Sequence, residues 1–256
     1  MAEGHEGWDD YAPFYDWENA RTLGRRDVPF WRNLAIHAGG PVLELGCGTG
    51  RIALPLGRAG VTLVGIDRSE AMLARARARV KRSRMAGRVQ LVRGDIRHLP
   101  FRNPFAMVMA PYGVLQSLLR ERDLATTLAS VHDVLEPGGR FGVELVADLP
   151  SWEEYLKRVS LTGWRQRPGG VHVTLVETVR QDRARKLTIF DQEFIERRGR
   201  HRRSRTFSLT FRTLTVPQMA RRLEKAGFVV DALLGDYHGA PWDPRADVWV
   251  ILARRI

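Results

Sequence analysis

Val42-Leu-Glu-Leu-Gly-Cys-Gly-Thr-Gly50 is the stretch on which the reading of this chain turns. A short apolar run ends in three glycines at alternate positions, Gly46, Gly48 and Gly50, and a helical stretch opens near Arg51. Glycine at such positions permits a tight turn and lets the backbone approach a ligand with no Cβ in the way. The N-terminus of the following helix offers unpaired N–H groups to a negative group. Alone, a loop of this kind also suits dinucleotide enzymes and plain structural turns.

Outward from the loop, the pattern sharpens. The buried strand Val61 to Ile66 ends in Asp67, 17 residues beyond Gly50. A carboxylate at the tip of a second strand can accept both hydroxyls of a ribose; the alternative is a turn residue before the helix that Ser69 caps. Asp95, in Gly94-Asp-Ile-Arg-His-Leu-Pro-Phe101, follows the third strand, Val89 to Val92. Strands at Ala106–Met109 and Phe141–Leu145, with helices at Ser69–Val80 and Asp123–Leu135, complete an alternation that implies a parallel sheet covered on both faces.

From about Val171 to Thr213 the pattern changes to three long strands with turns near Asp182–Lys186 and Arg198–His201. Period-two alternation shows in Leu187, Ile189 and Ile195, and in Phe207, Leu209 and Phe211, as an antiparallel insertion requires. A helix at Pro217–Ala226 and strands at Phe228–Leu234 and Val248–Leu252 return to the main sheet. The expected division is an N-terminal lid or helical segment over 1–40, a main domain over 41–150 and 215–256, and the insertion over 151–214.

Composition bounds the rest. With 256 residues, 44% hydrophobic and 27% charged, the chain can bury a sizeable core and is neither disordered nor fibrous. The single cysteine, Cys47, excludes an intramolecular disulfide and a cysteine-rich zinc site, and fits a reducing cytoplasm. No His/Asp/Glu cluster has ligand spacing, so no metal is expected. The most apolar stretch, Phe105–Leu119, is too short and interrupted to span a bilayer. Acidic Glu3, Glu6, Asp9 and Asp10 precede any Lys or Arg, the opposite of a secretory signal, so the expected location is the cytoplasm with no membrane partner. Net charge is +12, with lysine only at 81, 157, 186 and 225 and arginine elsewhere. The one dense basic run, Arg197 to Arg205, sits at a hairpin tip, as a solvated edge or as a grip on RNA or DNA.

Taken together, these residues resemble the class I S-adenosylmethionine-dependent methyltransferases over nearly the whole chain. Leu43–Gly50 is similar to that family's first motif and Gly65-Ile-Asp-Arg-Ser-Glu-Ala-Met72 to its second. Gly94-Asp95-Ile96 resembles its adenine-side motif, and Leu135-Glu-Pro-Gly-Gly139 the turn before its fifth strand. The resemblance implies an α/β fold: a seven-stranded, doubly wound Rossmann-like sheet with an antiparallel last strand, carrying the three-stranded insertion. It implies S-adenosyl-L-methionine as cofactor and S-adenosyl-L-homocysteine as product. Gly46, Cys47, Gly48 and Gly50 would pass under the methionine moiety, Asp67 would hold the ribose, and Asp95 with Ile96 would frame the adenine. Arg68, Met72 and Ala110 join the same set. Glu44 would meet the cofactor's amino group but repel a pyrophosphate, and the loop lacks the Gly-x-x-Gly spacing of the dinucleotide fingerprint.

For the acceptor, no Asn-Pro-Pro-Tyr motif of nucleobase or glutamine methylases occurs. Ala110-Pro-Tyr-Gly-Val-Leu-Gln-Ser117 instead resembles segments of small-molecule enzymes, including sugar-amine and glycine-type N-methyltransferases, and would turn Tyr112 and Gln116 toward the donor or acceptor. Tyr11-Ala-Pro-Phe-Tyr-Asp-Trp17 is similar to their opening segment, with Tyr15 over the sulfonium. Gly235-Asp-Tyr-His-Gly-Ala-Pro-Trp-Asp243 is similar to a loop near the acceptor, where Tyr237 and His238 could orient or deprotonate it. Catalytic candidates are therefore Tyr15, Tyr112 and His238, with His98 and Glu144 behind them. Each has a plainer reading: Tyr112 as core, Tyr15 as helix packing, His238 as a solvated loop residue. The insertion would cover substrate or form a dimer contact. The expected reaction is in-line methyl transfer to a small molecule, at an amine nitrogen before oxygen. RNA or DNA methylation through the 197–205 hairpin, and cofactor binding without turnover, are the alternatives.

Overall fold

Apolar runs with no polar face belong in the middle of a sheet, and two such runs set this one. In the computed structural model, which describes residues 7–147, 149–165 and 170–256, β1 (Val42–Leu45) and β4 (Phe105–Ala110) are buried along their length and pair in parallel. β2 (Leu63–Asp67) and β3 (Val89–Arg93) extend the sheet beyond β1, and β5 (Leu135–Leu145) beyond β4. β10 (Phe228–Leu234) and β11 (Trp249–Arg255) finish it antiparallel, giving the order β10-β11-β5-β4-β1-β2-β3. Strand order reverses between β1 and β4, and in such sheets the ligand crevice opens at the carboxyl ends there.

Each inner strand sends alternate side chains to opposite faces. Leu43, Leu45, Val108 and Phe141 meet α5 (Glu121–Val134) and α6 (Val216–Lys225), through Leu128, Val131, Met219 and Leu223. Val42, Met107 and Val250 meet α2 (Val28–Ala38) and α3 (Ala53–Arg58), through Trp31, Ala35 and Leu56. The helix expected near Arg51 begins two residues later, and β5 begins at Leu135, ahead of the Pro-Gly-Gly turn. α4 (Glu70–Arg82) runs from β2 with Ser69 as its N-cap, the Ser69 hydroxyl accepting the Met72 N–H at 3.1 Å.

The insertion has four strands, not three: β6 (Tyr155–Arg165), β7 (Val171–Asp182), β8 (Leu187–Arg198) and β9 (His201–Arg212), paired antiparallel in that order. β6 is an edge strand with two register irregularities, and Leu156, Val159 and Trp164 on it are exposed, so it lacks the apolar alternation that marks a strand. The alternation on β8 also faces the other way. Thr188, Phe190, Gln192 and Phe194 are buried, while Leu187 and Ile189 lie on the more open face. α1 (Trp8–Asn19) covers the buried face, with Phe14 stacked on Phe194 at 4.2 Å between centroids. It is tied to the main domain by Asp16, which pairs with Arg79 at 2.6 Å and accepts the Thr49 hydroxyl at 2.8 Å. The expected 1–40 segment therefore divides: α1 packs on the insertion and α2 on the large sheet, residues 1–6, with Glu3 and Glu6, lying outside the described residues.

Trp31 is fully buried where α2 crosses β5, and a Cβ at Gly142 would stand 2.7 Å from its ring. A buried indole has no free space to retreat into, and overpacking of this kind costs about 1–3 kcal/mol. Gly142→Ala is expected to lose that amount in urea unfolding; wild-type stability would contradict the packing described.

Candidate functional site

The carboxyl ends of β1, β2, β3 and β4 open into a cavity of about 380 Å³. Its floor is the glycine loop. Gly46 has φ +60°, and a Cβ there would meet Val114 Cγ2 at 2.3 Å, so the position admits no side chain. The Gly48 N–H donates to Asp67 Oδ2 and the Ser69 N–H to Asp67 Oδ1, both at 2.8 Å. Asp67 is thereby pinned between loop and α4; burial raises its pKa, and these bonds oppose that rise only in part. It orders the turn into α4 and also stands on the cavity wall, where a ribose would meet it. Ser69 in turn donates to Asp9 Oδ1 at 2.5 Å, fastening α1 over the cavity.

Asp95 and Ile96 are also on the wall. The Asp95 carboxylate is clasped by Arg97, with Nη2 at 2.7 Å and Nε at 3.0 Å, and touched by Arg68 at 3.4 Å. Burial would raise its pKa, but Arg97 outweighs burial and holds the group below the ordinary range. Met72, Arg68 and Cys47 line the cavity as expected. The Cys47 thiol is pushed well up by burial first and by nearby Glu44 and Asp67 second, which leaves it unreactive.

One guanidinium organises the deeper wall. Arg51 holds Asp27, at the start of α2, through two bonds of 2.5 and 2.7 Å, and Asp27 is wholly buried. Burial opposes the charge on Arg51, but the bonds to Asp27 and the Tyr15 contact more than restore it, so its pKa is raised. Its plane lies 5.6 Å from the Tyr112 ring centre. Glu44, 3% exposed, is pushed by burial to about 8 against the pull of Arg51, and its Oε2 has no hydrogen-bond partner. Glu144 accepts the Tyr112 N–H at 2.9 Å and the Tyr237 hydroxyl at 2.6 Å. The first of these bonds holds Tyr112 in a left-handed conformation, φ +53°.

Tyr15 and Tyr112 both reach the cavity wall. Both phenols have raised pKa values, burial being the largest cause, and stay neutral at pH 7. Other expected residues lie elsewhere. Gln116 is fully buried, its amide oxygen accepting the Val146 N–H at 2.7 Å and its NH2 facing the Val146 carbonyl, so it belongs to the frame. Gly50 closes the turn against Leu54 and Ala76, and Ala110 is buried at the end of β4. Tyr237 acts on Tyr112 through Glu144 and is not on the wall. His238 is exposed, its N–H donating to Asp236. None of Arg197 to Arg205 borders the cavity.

Sequence reasoning missed Arg51 and Asp27, although the arginine directly follows the glycine loop. It also missed the rings that roof the cavity, Trp8 on α1 and Phe211 on β9, 6.2 Å apart and edge to face. Among the described residues no group of three or more His, Cys, Asp or Glu is placed to hold a metal, and no helix is long and apolar enough to cross a membrane.

The donor set fits S-adenosylmethionine. Glu44 presents a buried, unpartnered oxygen where a cationic amino group would complete it, the glycine floor leaves room for an amino-acid chain, and Asp67 stands one strand away for a ribose. Asp67→Ala is expected to weaken cofactor binding by about 1.5–3 kcal/mol by calorimetry, through loss of charge-assisted bonds; unchanged affinity would remove Asp67 from the site. Breaking a buried pair strands the remaining charge, so Asp27→Ala should cost about 3–5 kcal/mol of stability in denaturant titration. A loss below about 1 kcal/mol would mean that the pair behaves as an exposed one.

Comparison with known proteins agrees with this geometry. A family model described as "Methyltransferase domain" matches residues 42–139. The chain is 30% identical over 169 residues to a demethylmenaquinone methyltransferase of Lactobacillus johnsonii, covering 60% of this chain and 67% of that protein. It spans about half to two thirds of the length of the curated relatives it matches, C-methyltransferases among them. The CcbJ methyltransferase of Streptomyces caelestis shares the fold with a TM-score of 0.79 at 24% identity, over 97% of both chains. The glycopeptide N-methyltransferase MtfA is similar at 26% identity and a TM-score of 0.57, over 90% of this chain and 96% of that one.

Proposed function

The chain belongs to the class I S-adenosylmethionine-dependent methyltransferases, and from that premise we propose that it methylates a small-molecule acceptor at an amine nitrogen. When bound, the cofactor supplies a methyl group on a sulfonium, whose positive charge disappears on transfer. What the chain itself must supply is alignment, exclusion of water and a place for any proton that leaves.

The observation that carries the reading is a pair of neutral phenols, Tyr15 and Tyr112, on the cavity wall with no histidine beside them among the described residues. No histidine stands on the cavity wall among the described residues, and His238 lies outside it. Of the acids on the wall, Asp67 is held by two backbone amides, Asp95 by Arg97 and Asp9 by Ser69, while Glu44 keeps an unpartnered oxygen that the cofactor's amino group would occupy. A hydroxyl or carbon acceptor needs a base to make its nucleophile. An amine in its neutral form already carries a lone pair and needs only orientation. Tyr15 and Tyr112, neutral at pH 7, can take an amine N–H on the phenol oxygen and leave that lone pair free. Their rings also favour the positive charge that builds on nitrogen as the bond forms. Phe211 and Trp8, meeting over the cavity, support the insertion as a substrate cover. The likeness to a glycopeptide N-methyltransferase over most of both chains supports the same acceptor atom.

The test is transfer of labelled methyl to paired acceptors that differ only in carrying an amino group or a hydroxyl at one carbon, with nucleic acid alongside. Label on nitrogen, absent from the hydroxyl partners, is expected. Label on oxygen, carbon, RNA or DNA would contradict the reading.

A further inference from the structure

Where the chain leaves β4, Pro111-Tyr112-Gly113-Val114 makes a tight turn, closed by the Val114 N–H on the Pro111 carbonyl at 3.4 Å. Both central residues are left-handed, Tyr112 at φ +53° and Gly113 at φ +69°, as in a type I′ turn. Glycine, asparagine and aspartate suit the first of those positions. A tyrosine there is strained, because its Cβ crowds the neighbouring carbonyl. Gly113 is confined as well: a Cβ on it would stand 2.6 Å from Val146 Cγ2 and 2.7 Å from Gln116 Oε1. The strained residue is one whose ring stands on the cavity wall.

The end of β5 holds the turn in this state. Glu144 takes the Tyr112 N–H on its Oε2 at 2.9 Å and the Gly113 N–H on its main-chain carbonyl at 3.0 Å. Its side chain is buried, and the other oxygen, Oε1, accepts the Tyr237 hydroxyl at 2.6 Å. Tyr237 comes from the loop between β10 and β11 and packs on Phe30 of α2, 5.8 Å between ring centres. Burial first, and Glu144 second, raise the Tyr237 pKa, so the phenol keeps the proton it donates. Burial raises the pKa of Glu144 as well. The Tyr237 bond is the strongest influence against that rise, ahead of the Tyr112 N–H and Arg51, while Asp27 at the start of α2 adds to it.

Backbone strain of this kind persists only where the surroundings over-determine it, and it gathers where a side chain must be aimed. We propose that Tyr237 is a positioning residue for methyl transfer: its hydroxyl fixes the Glu144 carboxylate, and through it the strained turn that presents Tyr112 to the acceptor. The inference rests on the reading above, in which Tyr112 meets the amine, and adds which residue aims that phenol. Without the Tyr237 hydroxyl, Glu144 keeps a buried oxygen with no donor and takes up a proton more readily. A neutral carboxyl is a weaker acceptor for the Tyr112 N–H than a carboxylate, so the turn relaxes and the ring shifts. Tyr237 itself touches neither acceptor nor cofactor; it acts from behind the wall.

The experiment compares the wild-type protein, Tyr237→Phe and the double variant Tyr237→Phe/Glu144→Gln in labelled methyl transfer to an amine across pH. Tyr237→Phe keeps the ring on Phe30 and is expected to lower kcat about tenfold or more, as a small misplacement of an aligning group does, with KM for S-adenosylmethionine unchanged. Its acid limb should move to higher pH, because Glu144 then protonates earlier on acidification. In the double variant the amide oxygen still accepts the Tyr112 N–H but does not titrate, so that shift should vanish; the acceptor's own titration is common to all three. Wild-type kcat in Tyr237→Phe, or a loss with an unshifted pH profile, would overturn the proposal. A second measurement needs no turnover. With 3-fluorotyrosine at the five tyrosines and S-adenosylhomocysteine bound, the fluorine-19 resonance that Tyr112→Phe deletes should move in Tyr237→Phe; an unmoved resonance likewise overturns the proposal. The two readings fail separately. Label on nitrogen with an unmoved Tyr112 removes only the role of Tyr237. Label on oxygen or carbon removes the amine reading, and the Tyr112 resonance still decides whether Tyr237 places the ring.

Discussion

A single guanidinium buried among carboxylates and phenols governs this site. Arg51 is held by Asp27 from the start of α2, and the pair fixes how far that helix stands from the glycine loop. Glu44, Glu144, Tyr15 and Tyr112 all lie within its field. With Asp27 already claiming the charge, Glu44 is left buried with an unpartnered oxygen and a raised pKa. A protein tolerates that arrangement only where something else brings the missing cation. The amino group of the cofactor would bring it, so one ion pair both sets the wall and leaves a defined electrostatic deficit beside it.

The cover is held by a second set of acids. Asp9 and Asp16 on α1 reach Ser69, Thr49 and Arg79, fastening that helix to α4 and to the glycine loop itself. Sheet and helix then share an aromatic layer, Phe14 on Phe194 and Phe194 on Phe207, which makes α1 a part of the insertion more than of the main domain. Trp8 and Phe211, which meet over the cavity, come one from each of these two elements.

Much of the fold was legible in the sequence because the central strands of the large sheet, β1 and β4, are buried along their length and give unbroken apolar runs. Asp67 was legible as well, since its place at a strand tip follows from spacing alone. β6 was not: an exposed edge strand carries Lys157, Arg158 and open apolar residues with no period to read. Gln116 was misplaced because sequence gives its position in a loop but not the direction of its amide, which Val146 claims on both sides. Tyr237 was expected at the acceptor and instead supports Tyr112 through Glu144, a relation between residues far apart in the chain. Asp27 had no local signal at all; only the folded structure brings it to Arg51.

The electrostatic deficit at Glu44 is the claim on which the account stands, and carbon-13 NMR of its labelled side-chain carboxyl tests it directly. In the free protein the group should titrate near 8, above its ordinary 4.5. A folded-state pKa raised in this way stabilises the protein below the ordinary value, and that contribution fades as pH rises through 8. Adding S-adenosylhomocysteine, whose amino group would supply the cation, should bring the titration back toward 4.5. A resonance that titrates near the ordinary value in the free protein, or that does not move when S-adenosylhomocysteine is bound, would contradict the account.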